Sequence, residues 1–290
     1  MFNTLFKPTA IFFISVVFST FCYAENEDSL KNSKVLATDN KTAAKTVIAK
    51  EANVIYPMML EKHQDQFITY VEKFSLSRKA YLQRTYTRSQ KFFPKASLIL
   101  KKYNVPSEFA VLLVLESAFN ANAVSSAGAV GYWQIMDDVA KEFGLKIIEK
   151  QHKAISAKTT KKLDKTTAKL SAGKKKPALI DERKNFQKST HAAARYLKDR
   201  MRNLNNDWLL VAASYNWGVG NVWNAMQRTG KTNPTFWDIK NYLPAETKTY
   251  VMNFITLNVI FKNYQNFKTN NLCFKDEIEN KNAQKDIVAD

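Results

Sequence analysis

Residues 103–136 read YNVPSEFAVLLVLESAFNANAVSSAGAVGYWQIM, and the fold class is decided inside them. Pro106 stands where the first turn of a helix tolerates proline, and Glu108 is favourable near the positive helix end. Phe109–Leu115 is apolar on every face, so its helix belongs in the core. Glu116 ends the apolar run, and Asn120, Asn122, Ser125, Gly128 and Gly131 soon turn the chain into a loop. Two effects then raise the carboxyl pKa: apolar surroundings disfavour the charge, and the negative end of the helix dipole repels it. A carboxyl protonated near neutral pH is what a general acid needs. By itself, however, a Glu at a helix end more often simply reaches water.

Outward from this stretch the signals stay helical. Phe67, Tyr70, Val71 and Phe74 follow the spacing of an apolar helix face. Ala80–Lys91 and Ser97–Tyr103 read as two further helices. Ser189/Thr190 can cap a helix to about Asn203, and Asp207 can cap Trp208–Tyr215. Val222–Gln227 and Thr247–Tyr264 complete the set. No run of alternating strands and no internal repeat appears, and the chain holds only 7 Gly and 7 Pro. The expected class is mostly α.

Composition removes several alternatives. The 290 residues carry 44 Lys+Arg against 26 Asp+Glu, a net charge of +18. Hydrophobic residues at 45% and charged residues at 24% argue against global disorder and against a multi-span membrane protein. Of two cysteines, Cys22 falls in the leader, so Cys273 alone makes no intrachain disulfide. His63, His152 and His191 are scattered, without HExxH or an i, i+4 pair, so no metal site is expected.

The first 24 residues have the order of an export signal: one positive charge in Met1–Lys7, an apolar Ala10–Phe21, and Cys22 and Ala24 before Glu25. The apolar run of about 12 residues is short of the roughly 20 that span a bilayer. Acylation at Cys22 is the competing reading, disfavoured by the bulk of Phe21. Residues 25–53 read as a polar linker, 54–102 as an N-terminal helical extension, 103–268 as the main domain and 269–290 as a polar tail. Within the main domain, residues 151–177 form a Lys-rich insertion whose bland reading is a solvated segment.

Three sets of residues, in order, resemble one family. Glu116-Ser117 followed by Gly128-Ala-Val-Gly131-Tyr132-Trp133-Gln134 is similar to the Glu-Ser and Gly-x-x-Gly-aromatic-Trp-Gln motifs of lytic transglycosylases. Ser189–Tyr196 (STHAAARY) and Asp207–Val222 (DWLLVAASYNWGVGNV) resemble the family's Ala-Tyr-Asn-x-Gly region. Leu243–Val251 (LPAETKTYV) resembles its Glu-Thr-x-x-Tyr-Val segment. The arrangement is closest to the membrane-bound D-type branch, without LysM repeats.

The resemblance implies a lysozyme-like helical catalytic domain that cleaves the MurNAc–GlcNAc bond of peptidoglycan without water. Glu116 would serve as the single acid/base, whereas most glycosidases use two carboxylates. Asp137 and Asp138 accordingly have no family role. Ser125 would hydrogen-bond near the N-acetyl and C6 groups, and the Tyr250 hydroxyl would point at the catalytic carboxyl. Ser117, Gln134, Met136, Tyr215 and Asn216 would line the saccharide groove. The bland readings are a backbone-bonded hydroxyl for Ser117 and plain core for Tyr132, Trp133 and Met136. Ser214, where the family has a small Ala, and the large Trp217 are departures that bear on subsite shape. No cofactor is needed. The expected partner is the glycan strand, with no nucleic acid and, after signal cleavage, no membrane span; the expected location is the periplasm or envelope. A Lys-rich insertion lying over the groove could attract anionic stem peptides. Two other functions fit the residues less well: a hydrolytic goose-type lysozyme on the same fold, and a non-catalytic basic protein that binds wall or polyanion.

Overall fold

The computed structural model describes residues 49–148 and 180–278. The export signal, most of the polar linker, the Lys-rich insertion and the last twelve residues lie outside the described residues. In chain order the elements are β1 (Ala49–Lys50), α1 (Ile68–Ser77), α2 (Lys79–Lys102), α3 (Leu112–Ser117), α4 (Asp137–Glu142), β2 (Ile147–Ile148), β3 (Ile180–Asp181), α5 (Phe186–Asn203), α6 (Trp208–Trp217), α7 (Val219–Gln227), α8 (Phe236–Ile239), α9 (Ala245–Lys262), α10 (Tyr264–Lys268) and β4 (Glu277–Ile278). Short 3₁₀ turns cover Met58–Gln66, Ser107–Val111, Glu182–Lys184 and Lys240–Tyr242. The class is mostly α, as the sequence predicts. Among the described residues no helix is long and apolar enough to cross a membrane.

The chain divides into two compact units. Of the described residues, the first holds those between 84 and 254; the second joins residues 49–83 to residues 255–278. In the first, the core is built from Phe109, Leu112, Leu113, Trp133, Leu197, Val211, Ile239 and Val251, all buried. Phe109 meets the rings of Trp208 and Phe254 with centroids 5.9 and 5.4 Å away. In the second, Leu60, Phe67 and Val71 are buried, and β1 pairs antiparallel with β4. Asn53 and Cys273 exchange hydrogen bonds, and Asn263 brackets the backbone of Ile55 with both ends of its amide. The described ends of the expected linker and tail are thus structured, because each supplies the other's backbone partners.

Three boundaries differ from the sequence expectation for identifiable reasons. Ala80–Lys91 and Ser97–Tyr103 are one helix, α2, running through Pro94. Buried Leu82 before the proline and buried Ala96 and Leu100 after it outweigh the missing backbone donor. Pro106 precedes a 3₁₀ turn, and the α-helical part of the apolar run is only Leu112–Ser117. Helix α5 starts at Phe186, capped by Asn185, whose side chain accepts from the Lys188 N–H. Ser189 and Thr190 lie inside it, their hydroxyls donating back to the carbonyls of Asn185 and Phe186. Asp207 does cap α6, accepting from the N–H groups of Leu209 and Leu210.

Candidate active site

The end of α3 is a backbone device. After Ser117, Ala118 and Phe119 both adopt left-handed conformations, with φ of 47° and 66°. The helix stops abruptly there and Glu116 is left partly buried on its last turn. The loop that follows folds back on itself: Ser125 N–H and the Ala129 carbonyl bond at 2.9 Å, and the Ser125 Oγ accepts the Ala129 N–H at 3.0 Å. Val130 bridges both Val124 and Ile135. Gly131, at φ 84°, leaves no room for a side chain: a Cβ there would stand 2.2 Å from the Arg183 carbonyl oxygen.

Tyr250, on α9, donates its phenol proton to Glu116 Oε1 at 2.5 Å. One turn earlier on the same face, Thr247 donates to Asn216 Oδ1 at 2.8 Å. The Glu-Thr-x-x-Tyr spacing therefore places two contacts from one helix face onto the site. Tyr215, beside Asn216 at the end of α6, donates to the Trp133 carbonyl at 2.7 Å. Tyr196 meets Tyr215 edge-on at 5.5 Å.

Burial pushes the Glu116 carboxyl up to about 8, against a smaller lowering by the Tyr250 hydrogen bond. Burial raises the phenols of Tyr196, Tyr215 and Tyr250 above the usual tyrosine value, and the Glu116 carboxyl adds to the rise at Tyr215 and Tyr250. At neutral pH the arrangement is a protonated carboxyl held by a tyrosine, ready to give a proton away.

The other predicted residues fall as follows. Ser125 is half-buried on the folded-back loop and keeps its hydroxyl proton free of that turn. Gln134 is buried in a left-handed conformation, φ 45°, and its amide donates to the carbonyls of Ala123 and Gly131. Among the described residues its buried Oε1 has no hydrogen-bond partner, and Gln134 lines a narrow cavity with Met136, Val139, Ala193, Tyr196 and Tyr215. Ser117 donates to the Tyr132 carbonyl at 2.8 Å, the backbone-bonded arrangement. Trp133 is core, its indole N–H on Thr190 Oγ1 at 3.0 Å. Ser214 is buried and donates to the Val211 carbonyl, so its extra oxygen is absorbed within α6. Among the described residues no group of three or more His, Cys, Asp or Glu could hold a metal ion.

Arg183 is the structural residue that sequence reasoning missed. It is 5% exposed, ion-paired with Asp181 and Asp137, and it donates to the Ile135 carbonyl behind the loop. Asp137, which has no family role, is thus a charge partner. Nothing in the local pattern Asp181-Glu182-Arg183-Lys184 marks one arginine as buried. Tyr196 was also missed as a neighbour of the site, although it ends a quoted motif.

Comparison with known proteins adds an independent line. The Transglycosylase SLT domain matches residues 96–160 and 155–237. The chain is 30% identical over 195 residues to Membrane-bound lytic murein transglycosylase D of Escherichia coli K12, covering 66% of this chain and 36% of that protein. It is 27% identical over 142 residues to a Putative tributyltin chloride resistance protein of Alteromonas sp. M-1, covering 49% and 55%. The chain thus spans about a third of the length of the first of these relatives. Among solved structures it is similar to the lytic transglycosylase Slt of Pseudomonas aeruginosa, with TM-score 0.42, 18% identity and 66% of this chain against 26% of that one. The 70 kDa soluble lytic transglycosylase of Escherichia coli gives TM-score 0.40 at 18% identity, covering 60% and 25%.

Proposed function

Because the chain carries a transglycosylase SLT domain over residues 96–160 and 155–237, we propose that it is a peptidoglycan lytic transglycosylase with Glu116 as its single acid/base. The observation that carries this reading is the Glu116 carboxyl, raised to about 8 by burial and held by the Tyr250 hydroxyl. Among the described residues no second carboxylate contributes to that shift.

In the proposed reaction the protonated Glu116 gives its proton to the bridging oxygen as the MurNAc C1–O bond breaks. The muramoyl C6 hydroxyl closes on C1, and the Glu116 carboxylate takes the proton that this hydroxyl loses. The N-acetyl oxygen assists at the anomeric carbon. The proton therefore passes from O6 to the leaving oxygen through one carboxyl, and no water is consumed. Tyr250 orients the carboxyl and steadies it when charged. Ser125 faces the N-acetyl and C6 groups; Gln134, Met136 and Tyr215 line the groove. The partnerless Oε1 of Gln134 supports that role, since a buried acceptor left unpaired is costly until a substrate N–H or O–H meets it. Ser117 and Asn216 act from behind, bracing the loop and α9 through the contacts already described, and reach sugar only by exchanging those partners.

We place the protein in the envelope after export, its partner being the glycan strand. The composition of residues 1–24 and the membrane-bound relative support that reading.

The test is mass analysis of the products released from purified sacculi by this protein and by Glu116→Gln. Anhydro-muropeptides, lighter by one water than hydrolysis products, are expected from the parent alone. Reducing-end products would make the enzyme a hydrolase, and release by neither protein would leave a wall-binding protein.

A further inference from the structure

The end of α4 and a second stripe of α5 build a feature that the catalytic reading leaves unused. Along α5, Ala193 and Tyr196 line the narrow cavity shared with Gln134 and Tyr215. Lys188, His191 and Arg195, at i, i+3 and i+7, form a neighbouring stripe. With Lys146, Glu182 and the chain at Phe143–Leu145 they line a pocket of about 340 Å³. That volume lies within the range of small-ligand sites.

The pocket has cations to spare. Glu182 is fully engaged: Oε1 pairs with Lys188 Nζ at 2.5 Å, and Oε2 accepts the Lys146 backbone N–H at 2.8 Å. The Lys146 ammonium and the Arg195 guanidinium have no ion-pair partner among the described residues. Arg195 gives one N–H to the Phe143 carbonyl and keeps the rest of its fork. His191 Nδ1 lies 3.0 Å from the Tyr103 hydroxyl; with Tyr103 donating, the imidazole proton sits on Nε2. Burial, then the charges of Lys102 and Arg195, hold His191 below the usual histidine value, so it offers a neutral donor. A concave surface with this excess of positive charge concentrates anions. An arginine fork suits a carboxylate or a phosphate, and the negative Glu182 in the same wall opposes a dianion more than a monoanion.

We propose that this pocket binds a free carboxylate of the peptide stems that branch from the glycan strand, contacted by Arg195 and His191 and attracted by Lys146. The proposal rests on the peptidoglycan reading of the catalytic cavity. The two features share a wall: the Phe143 ring meets Tyr196 edge-on at 6.0 Å on one side and lies under the Arg195 guanidinium at 5.8 Å on the other. A strand threaded past Tyr196 brings its own side branches to Arg195, the preceding residue.

The experiment compares parent and the double variant Lys146→Gln/Arg195→Gln on two substrates, peptide-bearing sacculi and strands stripped of peptide by an amidase. The KM for the peptide-bearing substrate should rise about tenfold, the worth of one charge-assisted hydrogen bond, with kcat and the stripped-strand activity unchanged. Equal effects on both substrates, or none, overturn the proposal. Titration of the parent with a synthetic stem tetrapeptide, followed by the His191 ring resonances, tests the pocket without catalysis or a variant. Saturable shifts should appear, about tenfold weaker with the peptide amidated at its carboxylates. No shift, or inorganic phosphate binding as tightly as the peptide, overturns it. A parent that cleaves neither substrate sinks the catalytic reading, while the titration still decides the pocket.

Discussion

Helices α5 and α6 and the loop between α3 and α4 lie side by side in one compact unit, yet they are held in different ways. Helices α5 and α6 begin at side-chain caps, Asn185 and Asp207, and α6 ends at Gly218. The loop 117–136 has almost no regular structure and spends three non-glycine residues, Ala118, Phe119 and Gln134, in left-handed backbone. What fixes it comes from elsewhere: the Arg183 side chain and backbone, the Tyr215 hydroxyl on Trp133, the Trp133 indole on Thr190. Strained backbone persists only where the surroundings over-determine it. The site carboxyl sits at the junction of the two regimes, and its chemistry depends on the over-determined one.

Substitutions should separate these regimes. The largest effect is expected for Glu116→Gln, with kcat on sacculi falling about 10³- to 10⁴-fold while the circular dichroism spectrum stays that of the parent. The same variant tests the pKa. A carboxyl raised from 4.5 to about 8 binds more protons folded than unfolded, so the parent loses stability as pH rises through that window. Glu116→Gln should match the parent near pH 4 and exceed it by about 1–3 kcal/mol above pH 8 in urea titrations. A constant difference across pH would show that Glu116 titrates normally.

Next comes Gly131→Ala, which drives a methyl group into the Arg183 carbonyl at a left-handed position. A loss of about 2–4 kcal/mol in denaturant midpoint is expected, together with lost activity, because the loop cannot move without releasing Gln134 and Trp133. Little change would mean that the loop is less tightly determined than the helices.

Tyr250→Phe should lower kcat about 10- to 100-fold and move the alkaline limb of the pH–rate profile upward. The sign follows from the lost hydrogen bond, which holds the Glu116 carboxyl down. An unchanged profile would give Tyr250 a purely structural role. The smallest effect belongs to the helix caps: Asp207→Ala removes two cap bonds of α6 and a long one from the Phe236 N–H, and should cost about 1–2 kcal/mol in stability, with kcat on sacculi unchanged.

Much of the site was legible because its residues carry local signals. The apolar run before Glu116 announces both burial and a raised carboxyl, whereas Tyr250 was reached through the family resemblance and Thr247 was not singled out. Where tertiary context overrides local preference, the reading failed. Pro94 suggests a break that burial on both sides of it removes, and Ser189 looks like a cap because it stands near a helix start. Arg183 was invisible because burying a guanidinium requires Asp137 and Asp181, forty-six and two residues away, to converge on it.

By itself the sequence determined the helical class and the burial expected around Glu116, since apolar periodicity and caps act over a few residues, and its motifs, through the family resemblance, pointed to Glu116 as the candidate acid/base and to the Tyr250 hydroxyl beside it. Only the tertiary structure decided which residues brace the loop and which cations, among the described residues, lack an ion-pair partner. Those facts depend on partners far apart in the chain, and on the desolvation that arises once they are packed together.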